Sequence, residues 1–531
     1  FHILSDMAFW NPAEIIGSNP RPLDYSLYRE LITAHIWSAG LQPLGYQPVR
    51  GELMQKVGNK PYISVNYTFD GLTPAGLPED LCYKLNQYYE QKLRQDKTAH
   101  DKIEFEIIFN TYDFMTDTRL KELAEYGFDD VEISQLRNAL FEIAKQTLEH
   151  YDEICEEDLR SLGQLTELRH ELRKHSPLAE TNVMKLYSYI DELLDSIKDH
   201  GTPQFTRQAR CAFMARSFCR TLVEKGYFTK QEMDDFMLSI PTVASEFERD
   251  FDLYSHGKLS RDDFNHLYGH LRLGTYDIRS DSYRNIYFDV ASANLTGNNK
   301  VKQEAKSLDL ERLQVALDEA GIPVTPEKFI EFIKKATQNR EYFKFEFTKS
   351  LSLMLDVIVK LGEVMAIARE DMSYLEIQDL LSYHSRDSYI QTIETRRRFY
   401  HVNSYLVLPE VIFDVGDIDV IDIDEARPNF ITNKVVEAPI VNLDEDHDSD
   451  ITGKIVALTK ADPGYDWIFA KDIAGFVTKY GGAASHMAIR CAEFGIPAAI
   501  GCGEKIYQRI HRMQIMCLDC ENGRITEKQS Q

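Results

Sequence analysis

The chain has 531 residues, too many for one ordinary hydrophobic core, so two or more domains are expected. Its net charge of -25 argues against a nucleic-acid partner, because binding to phosphates requires clustered Lys and Arg residues. The sequence has no run of about 18 uninterrupted apolar residues, so no membrane partner and no membrane-spanning helix are predicted.

Neither terminal signals nor cysteines indicate a secreted protein. The chain begins at Phe1 and lacks a basic stretch followed by an apolar one, so we expect a fragment or a processed chain. Eight scattered cysteines are typical of a cytoplasmic protein. Cys517 and Cys520 form a CxxC pair without a second pair nearby, which favours two half-buried thiols over zinc, and no metal site is predicted.

The first two-thirds of the chain has the periodicity and the start signals of helices. Capping residues precede predicted helices in "NPAE" from Asn11, "TKQE" from Thr229 and "SYLE" from Ser373. The stretch "KPYISVNYTF" from Lys60 interrupts this pattern and predicts a strand or hairpin arm. The most hydrophobic window, "LSLMLDVIVKLGEVMAIA" from Leu351, carries charges at helical spacing and predicts a buried amphipathic helix.

The pattern changes near His401, where β-branched and alternating segments begin. Residues 410–450 contain thirteen acidic and two basic residues, which indicates a solvated connector. We therefore predict a multidomain α+β fold. Its parts are a mainly helical domain at residues 1–405, an acidic boundary region at 406–450 and a small β/α domain at 451–531.

The stretch "KYGGAASHMAIRCAEFGIPAAIG" from Lys479 carries the strongest chemical signal. Gly481 and Gly482 permit a sharp turn, and Ser485 is positioned to cap a helix from His486 to about Phe494, before Gly495. A histidine in the first turn of a helix lies where free amides stabilise an anion, so its ring could carry a phosphoryl group. A surface histidine behind a tight turn has the same spacing, and spacing alone favours neither interpretation.

These residues are similar to the phosphohistidine signature of the phosphoenolpyruvate-utilising enzymes, whose swivelling domain carries a phosphoryl group between two sites. The resemblance implies that His486 is the phosphorylated residue. It places Gly481, Gly482, Ser485 and Thr478 around the phosphate, while Ala484 replaces a threonine often found there. Arg490, one turn further, could neutralise the phosphate or could face solvent.

The order of segments along the chain indicates which branch of this family the sequence resembles. Only thirty residues follow Gly501, too few for the pyruvate-binding barrel of the dikinases, so the helical region is expected to bind the acceptor. This order resembles the rifampicin phosphotransferase-like branch. "NPRPLDYSLYRELIT" from Asn19 and "KFEFTKSLS" from Lys344 most resemble L-glutamine kinase and related enzymes of capsule and surface-polysaccharide pathways.

The acceptor site is predicted in "YGHLRLGTYDIRSDSYR", from Tyr268 to Arg284, after a capped helix that starts at Ser260. It resembles a segment of the substrate domain in the same branch, and it is rich in charge. The candidate substrate-binding residues are His270, Arg272, Tyr276, Asp277 and Arg279. A loop that ties helices together by salt bridges is the structural alternative.

No glycine-rich phosphate loop with a following lysine precedes these segments, so the ATP-binding domain is expected to lie in a missing part of the full-length chain. The resemblance implies that ATP gives its β-phosphoryl group to the histidine, with Mg²⁺ held mainly by that domain. No cofactor is expected to be needed for the fold of this chain, and the fragment is expected to be inactive with ATP alone.

The sequence therefore predicts the acceptor-binding and phosphohistidine portion of a cytoplasmic, ATP-dependent phosphotransferase. Its acceptor is expected to be a small polar molecule, and the amide of L-glutamine is one candidate. Two alternatives remain open. One is a rifampicin-type antibiotic phosphotransferase, and the other is a non-catalytic phosphocarrier or regulatory module that receives phosphate from a partner protein.

Overall fold

The computed structural model describes residues 2–8, 11–285, 307–403, 408–414, 428–445, 449–460, 463–483 and 485–528. Two units with separate hydrophobic cores occupy this part of the chain. We call residues 2–414 the helical domain and residues 428–528 the C-terminal domain. The predicted multidomain α+β architecture is confirmed.

Helices dominate the first unit. Its described α-helices are α1 Pro12–Ile16, α2 Pro22–Tyr28, α3 Ile36–Leu41, α4 Val65–Leu72, α5 Glu79–Gln95, α6 Thr116–Arg119, α7 Asp130–Lys174, α8 Val183–His200, α9 Thr202–Glu224, α10 Lys230–Leu238, α11 Val243–Ser255, α12 Arg261–Tyr268, α13 Leu310–Ala320, α14 Pro326–Val364, α15 Arg369–Met372, α16 Ile377–Leu381 and α17 Arg386–Asn403.

The predicted helix starts are mostly confirmed. Asn11, Thr229 and Ser260 each accept a hydrogen bond from a backbone N–H in the first turn of the helix that follows. The prediction at Ser373 was wrong, because helix α16 begins later and Glu376 is its N-cap residue. The Ser373 hydroxyl instead donates to the carbonyl of Glu370, in the preceding turn.

Helix α14 is the central element of the helical domain and packs against α7, α8 and α9. The apolar window from Leu351 lies within it, and Leu351, Met354 and Ile358 are fully buried, as the sequence predicts. In the described part of the chain, no helix is long and apolar enough to cross a membrane.

A small sheet joins the two ends of the helical domain. Its order is β2-β3-β1-β4, from strands β1 Leu4–Ser5, β2 Met54–Val57, β3 Lys60–Ser64 and β4 Val411–Ile412. The hairpin β2–β3 confirms the first half of the strand predicted from Lys60. The second half is helix α4, because the Ser64 hydroxyl accepts from the backbone N–H of Tyr67 and starts a helix there.

The C-terminal domain is built on a seven-stranded mixed sheet of order β11-β10-β6-β7-β8-β9-β5. Its elements are β5 Asn429–Ile431, β6 Val435–Asn442, β7 Ile455–Leu458, a 3₁₀ helix Pro463–Ala470, β8 Gly475–Thr478, α18 His486–Glu493, β9 Ala498–Ile500, α19 Gly503–Ile510, β10 Ile515–Asp519 and β11 Arg524–Glu527.

Helix α18 is the crossover between the parallel strands β8 and β9. Its buried residues Met487, Ala488 and Cys491 pack into a core beneath the sheet. The N-terminus of α18 therefore faces the carboxyl ends of β7 and β8, the edge where open α/β sheets bind their ligands.

The predicted boundary region at 406–450 needs correction. Strand β4 pairs with β1 of the helical domain, and strands β5 and β6 belong to the C-terminal sheet. The acidic composition of this region correctly indicates exposed positions, but it does not reveal that the backbone pairs in a sheet. In β6, Val435 and Glu437 face solvent, whereas Ala438 is buried. Residues 415–427 of that region lie outside the described part.

Candidate active site

The turn before His486 has the geometry that its glycines predict. Gly481 has a φ of +134°, and a Cβ there would lie 2.7 Å from Ile500. The Ser485 hydroxyl accepts from the backbone N–H of Ala488 at 3.2 Å, so α18 starts at His486 as expected. Thr478 is used within the C-terminal domain, because its hydroxyl accepts from the amide of Gly501. Ala484, which replaces a threonine often found at this position, lies outside the described residues.

The His486 ring is held between two carboxylates. Its Nε2–H donates to Asp466 Oδ1 at 2.7 Å, and Asp466 belongs to the 3₁₀ helix of the same domain. Its Nδ1 lies 3.1 Å from Glu341 Oε2, which comes from α14 of the helical domain. Burial alone would lower the pKa of His486, but Asp466 and Glu341 outweigh it and raise that pKa. The protonated ring is therefore favoured in this arrangement.

Arg490 is fully buried one turn after His486, not solvent-facing. Its Nε donates to the same Asp466 oxygen at 3.2 Å, and its Nη1 donates to Glu493 at 3.0 Å. The guanidinium lies against the rings of Phe469 and Phe494. Its Nη2 is buried without a hydrogen-bond partner among the described residues. Arg490 thus positions Asp466 and keeps one donor available.

A cavity lies between the two domains and includes His486 in its wall. The volume of this cavity is about 90 Å³. The C-terminal domain contributes Gly482, Ser485 and His486. The helical domain contributes the remaining wall, from Met7, Ala8, Asn11, Glu14, Ile15, Tyr28, Ile32, Asp101, Ile103, Glu104, Phe105, Phe205, Ala209, Phe213, Thr275, Tyr276, Arg340, Lys344, Phe347 and Thr348. A ligand enclosed there would contact the histidine and the helical domain together.

In the described part of the chain, neither Glu14 nor Lys344 of this wall forms an ion pair, and both have shifted pKa values. Burial raises the pKa of Glu14 to about 7, although Lys344, His486, Arg340 and the backbone amide of Met487 oppose this shift. Burial lowers the pKa of the Lys344 ammonium, and Glu341 opposes that shift. The cavity wall therefore carries a carboxyl group that titrates near neutrality and, besides Arg340, the cation Lys344.

Of the five predicted substrate-binding residues, only Tyr276 reaches this cavity, next to Thr275. Arg272 is buried and donates to Ser352 and Ser280 and to the carboxylate of Asp356. The Asp277 carboxylate binds the Arg279 guanidinium at 2.8 Å. These contacts match the salt-bridged loop that the sequence left as the alternative.

His270 is also placed away from the cavity. Its ring is buried and meets the edge of Phe345 at a centroid distance of 4.6 Å. Burial lowers the pKa of His270 well below its ordinary value, and the cations Lys349, Arg169 and Arg173 add to this effect. The structure therefore does not bring His270, Arg272, Asp277 or Arg279 to His486.

The loop that contains these residues instead contacts the C-terminal domain. The Tyr283 hydroxyl donates to the carbonyl of Gly464. A Cβ on Gly464 would lie 1.5 Å from the carbonyl oxygen of Arg272, so the two backbones touch directly. Leu273 packs against the core of the C-terminal domain. This loop positions the domain that carries His486.

Sequence reasoning missed Glu14, Glu341, Lys344 and Asp466. "NPAE" was interpreted only as a capping signal, although its Glu14 is the buried carboxyl group of the cavity. Glu341 and Lys344 lie three residues apart on α14, the spacing at which side chains share one helix face. That spacing was a usable signal, whereas Asp466 lies in a segment without a distinguishing pattern.

Comparisons with known proteins agree with this geometry. Residues 451–523 match the family described as "PEP-utilising enzyme, mobile domain". The chain is also 27% identical over 222 residues to the rifampicin phosphotransferase of Bacillus subtilis (strain 168). That match covers 38% of this chain and 24% of the relative, so the chain spans about a quarter of the relative's length.

Proposed function

We infer that this chain, whose residues 451–523 match the mobile domain of PEP-utilising enzymes, is the acceptor-binding and phosphohistidine portion of a phosphotransferase. His486 receives a phosphoryl group and passes it to a small polar acceptor. The observation that carries this proposal is the placement of His486 in the wall of a cavity that both domains form. An acceptor and a phosphorylated ring would meet there within one chain, which favours an enzyme over a carrier that serves a separate protein.

The surroundings of His486 suit a phosphoryl group in transit. The first-turn amides of α18 present positive partial charges, and Ser485 holds this turn in place. Lys344 lies in the same cavity wall, and Arg490 Nη2 is a buried donor without a partner among the described residues. Asp466 holds Nε2 and fixes the orientation of the ring. Gly481 and Gly482 have no side chains that would block a ligand from reaching the His486 ring.

We propose that the phosphoryl group is the β-phosphate of ATP, with AMP and phosphate as products, and that Mg²⁺ assists on an ATP-binding domain of the full-length protein. In the described part of this chain, no group of three or more His, Cys, Asp or Glu side chains is placed to hold a metal ion. The described residues therefore supply no cluster that would hold Mg²⁺ by itself, and we assign the ion to the ATP-binding domain.

The acceptor remains to be identified, and two candidates have support. A cavity of about 90 Å³ with charged and polar groups in its wall favours a small polar molecule such as L-glutamine. The similarity to the rifampicin phosphotransferase of Bacillus subtilis (strain 168) favours rifampicin as the second candidate. Fold similarity does not carry substrate identity, so the choice requires an activity measurement.

The test uses the full-length protein with ATP labelled in the β-phosphoryl group. We expect acid-labile label on His486 and none in the His486→Ala variant. L-glutamine or rifampicin should then discharge the label and increase AMP release without a second polypeptide. Transfer to acceptor at an undiminished rate by His486→Ala would overturn the proposal, and discharge only to an added protein would favour the carrier function.

A further inference from the structure

Glu14 is a carboxyl group of the cavity wall for which no ion pair and no side-chain partner is found in the described part of the chain. It lies in α1, is 4% exposed, and shares the cavity wall with His486 and Lys344. The backbone amide of Met487, in the first turn of α18, donates a hydrogen bond to the Glu14 carboxylate and favours its ionised form. Glu14 therefore lies beside the helix terminus where the phosphoryl group of His486 would be.

The other carboxylates near the cavity are committed to partners. Glu341 contacts His486, and Asp466 binds both His486 and Arg490. Glu104 binds Arg210. Asp101 accepts a hydrogen bond from Asn429 at 2.9 Å. Protonation of Glu341, Asp466 or Glu104 would neutralise the charge that its basic partner contacts.

The groups that face Glu14 come from three elements. Lys344 and Arg340 of α14 and His486 of α18 favour its ionised form, whereas burial opposes ionisation more strongly. Tyr28 of α2 is a neutral neighbour, because burial raises its pKa well above the ordinary value. With a pKa of about 7, Glu14 is partly ionised at neutral pH and can both accept and release a proton.

We propose that Glu14 accepts the proton of the acceptor's nucleophile, and that the acceptor is therefore a neutral hydroxyl or amide rather than an oxyanion. This inference rests on the proposed function of His486. The acceptor atom forms a bond to phosphorus while the bond from phosphorus to the ring nitrogen breaks, and its electron pair stays on the ring. The acceptor's proton moves to the Glu14 carboxylate. An oxyanion acceptor carries no such proton and would need no base.

The experiment measures two steps separately: phosphorylation of His486, which we call loading, and transfer of the phosphoryl group from His486 to an acceptor, which we call discharge. The full-length protein and its Glu14→Gln and Glu14→Asp variants are phosphorylated with ATP or with phosphoramidate, which phosphorylates histidine directly. Discharge of phosphohistidine is then followed by rapid quenching, with L-glutamine and with water as the acceptor. Glu331→Gln is the control, because Glu331 forms a surface ion pair with Lys335 on α14 and does not line the cavity.

We expect Glu14→Gln to load normally and to discharge about 10² to 10⁴ times more slowly. The wild-type discharge rate should rise with pH through about 7 and then level off, and Glu331→Gln should keep this rise. Glu14→Asp should recover part of the rate, which a loss of folding would not allow. Discharge of Glu14→Gln at the wild-type rate would overturn the inference, whereas failure of the wild type to load His486 would overturn the proposed function instead.

Discussion

Nδ1 of His486 lies 3.1 Å from Oε2 of Glu341, and this contact joins the C-terminal domain to α14 of the helical domain. Both side chains are buried. Burial would raise the pKa of Glu341, but the His486 ring and Arg340 lower it well below its ordinary range. The unphosphorylated histidine is therefore an electrostatic anchor between the two domains.

The first prediction concerns pH. Because the docked pKa of His486 is raised, its contribution to docking is present below the ordinary pKa of 6.5 and is lost as pH rises through the raised value. Glu341→Gln should weaken docking at pH 6 and reduce its pH dependence, as measured by fluorescence transfer between labels on the two domains. The control Glu331→Gln alters a surface ion pair on the same helix. An unchanged pH profile in Glu341→Gln would contradict the anchor.

The second prediction concerns the docking loop. Gly464→Ala places a methyl group 1.5 Å from the Arg272 carbonyl oxygen, so the domains must separate or shift. We expect small-angle scattering to report a more extended particle, while circular dichroism reports intact secondary structure. Gly163→Ala, at a helical position with open space, is the matched control. A particle of unchanged dimensions would show that the loop does not position the C-terminal domain.

The third prediction concerns the buried ion pairs of α18. Arg490→Met leaves the carboxylate of Glu493 buried without its cation and leaves Asp466 with His486 alone. Such a loss costs about 3 to 5 kcal/mol of unfolding free energy. Urea denaturation of the C-terminal domain measures it, and Arg512→Met, at an exposed position, is the control. A loss below about 1 kcal/mol would mean that these carboxylates find other partners.

The fourth prediction concerns the stability contribution of Glu14. Its pKa rises from 4.5 to about 7 on folding, so the folded state loses stability as pH rises through this window. Glu14→Gln should match the wild type at pH 4 and be more stable above pH 7 by about 3 kcal/mol. Thermal unfolding at both pH values measures this difference. Equal stability at pH 8 would indicate that Glu14 is ionised at little cost.

The fifth prediction concerns the Lys344 ammonium. Lys344→Met removes the cation from the cavity wall, so discharge of phosphohistidine should slow about 10²-fold. Loading of His486 should be unaffected if it occurs on another domain. Lys360→Met, which disrupts a surface pair with Glu363 on the same helix, provides the comparison. If loading and discharge of His486 were slowed equally, Lys344 would contribute to the stability of the protein rather than to phosphoryl transfer.

Local signals predicted the histidine helix well because they are short-range. Gly481, Ser485 and His486 define a turn, a cap and a first helical position within six residues, and each adopts the predicted role. The family match over residues 451–523 agrees with that reading. The packing of α14 was also predictable, since its apolar face repeats along one continuous segment.

The cavity was not predictable in this way because its walls come from distant segments. Arg272 has the composition of a ligand-binding residue, yet its partners Ser352 and Asp356 lie about eighty residues later on α14. Glu14 is close in space to His486 but separated from it by most of the chain. Only the packing of α1 and α14 around the C-terminal domain reveals which charged residues are bound to each other and which remain available.

Gly482, Ser485 and His486 form one side of the cavity and the helical domain forms the rest, so the position of the C-terminal domain decides whether the wall is complete. If His486 transfers a phosphoryl group as proposed, an acceptor bound first on the helical domain would be covered by the arriving phosphorylated domain. A phosphohistidine that arrived before any acceptor would meet only solvent, so scarcity of acceptor should appear as futile consumption of the phosphoryl donor.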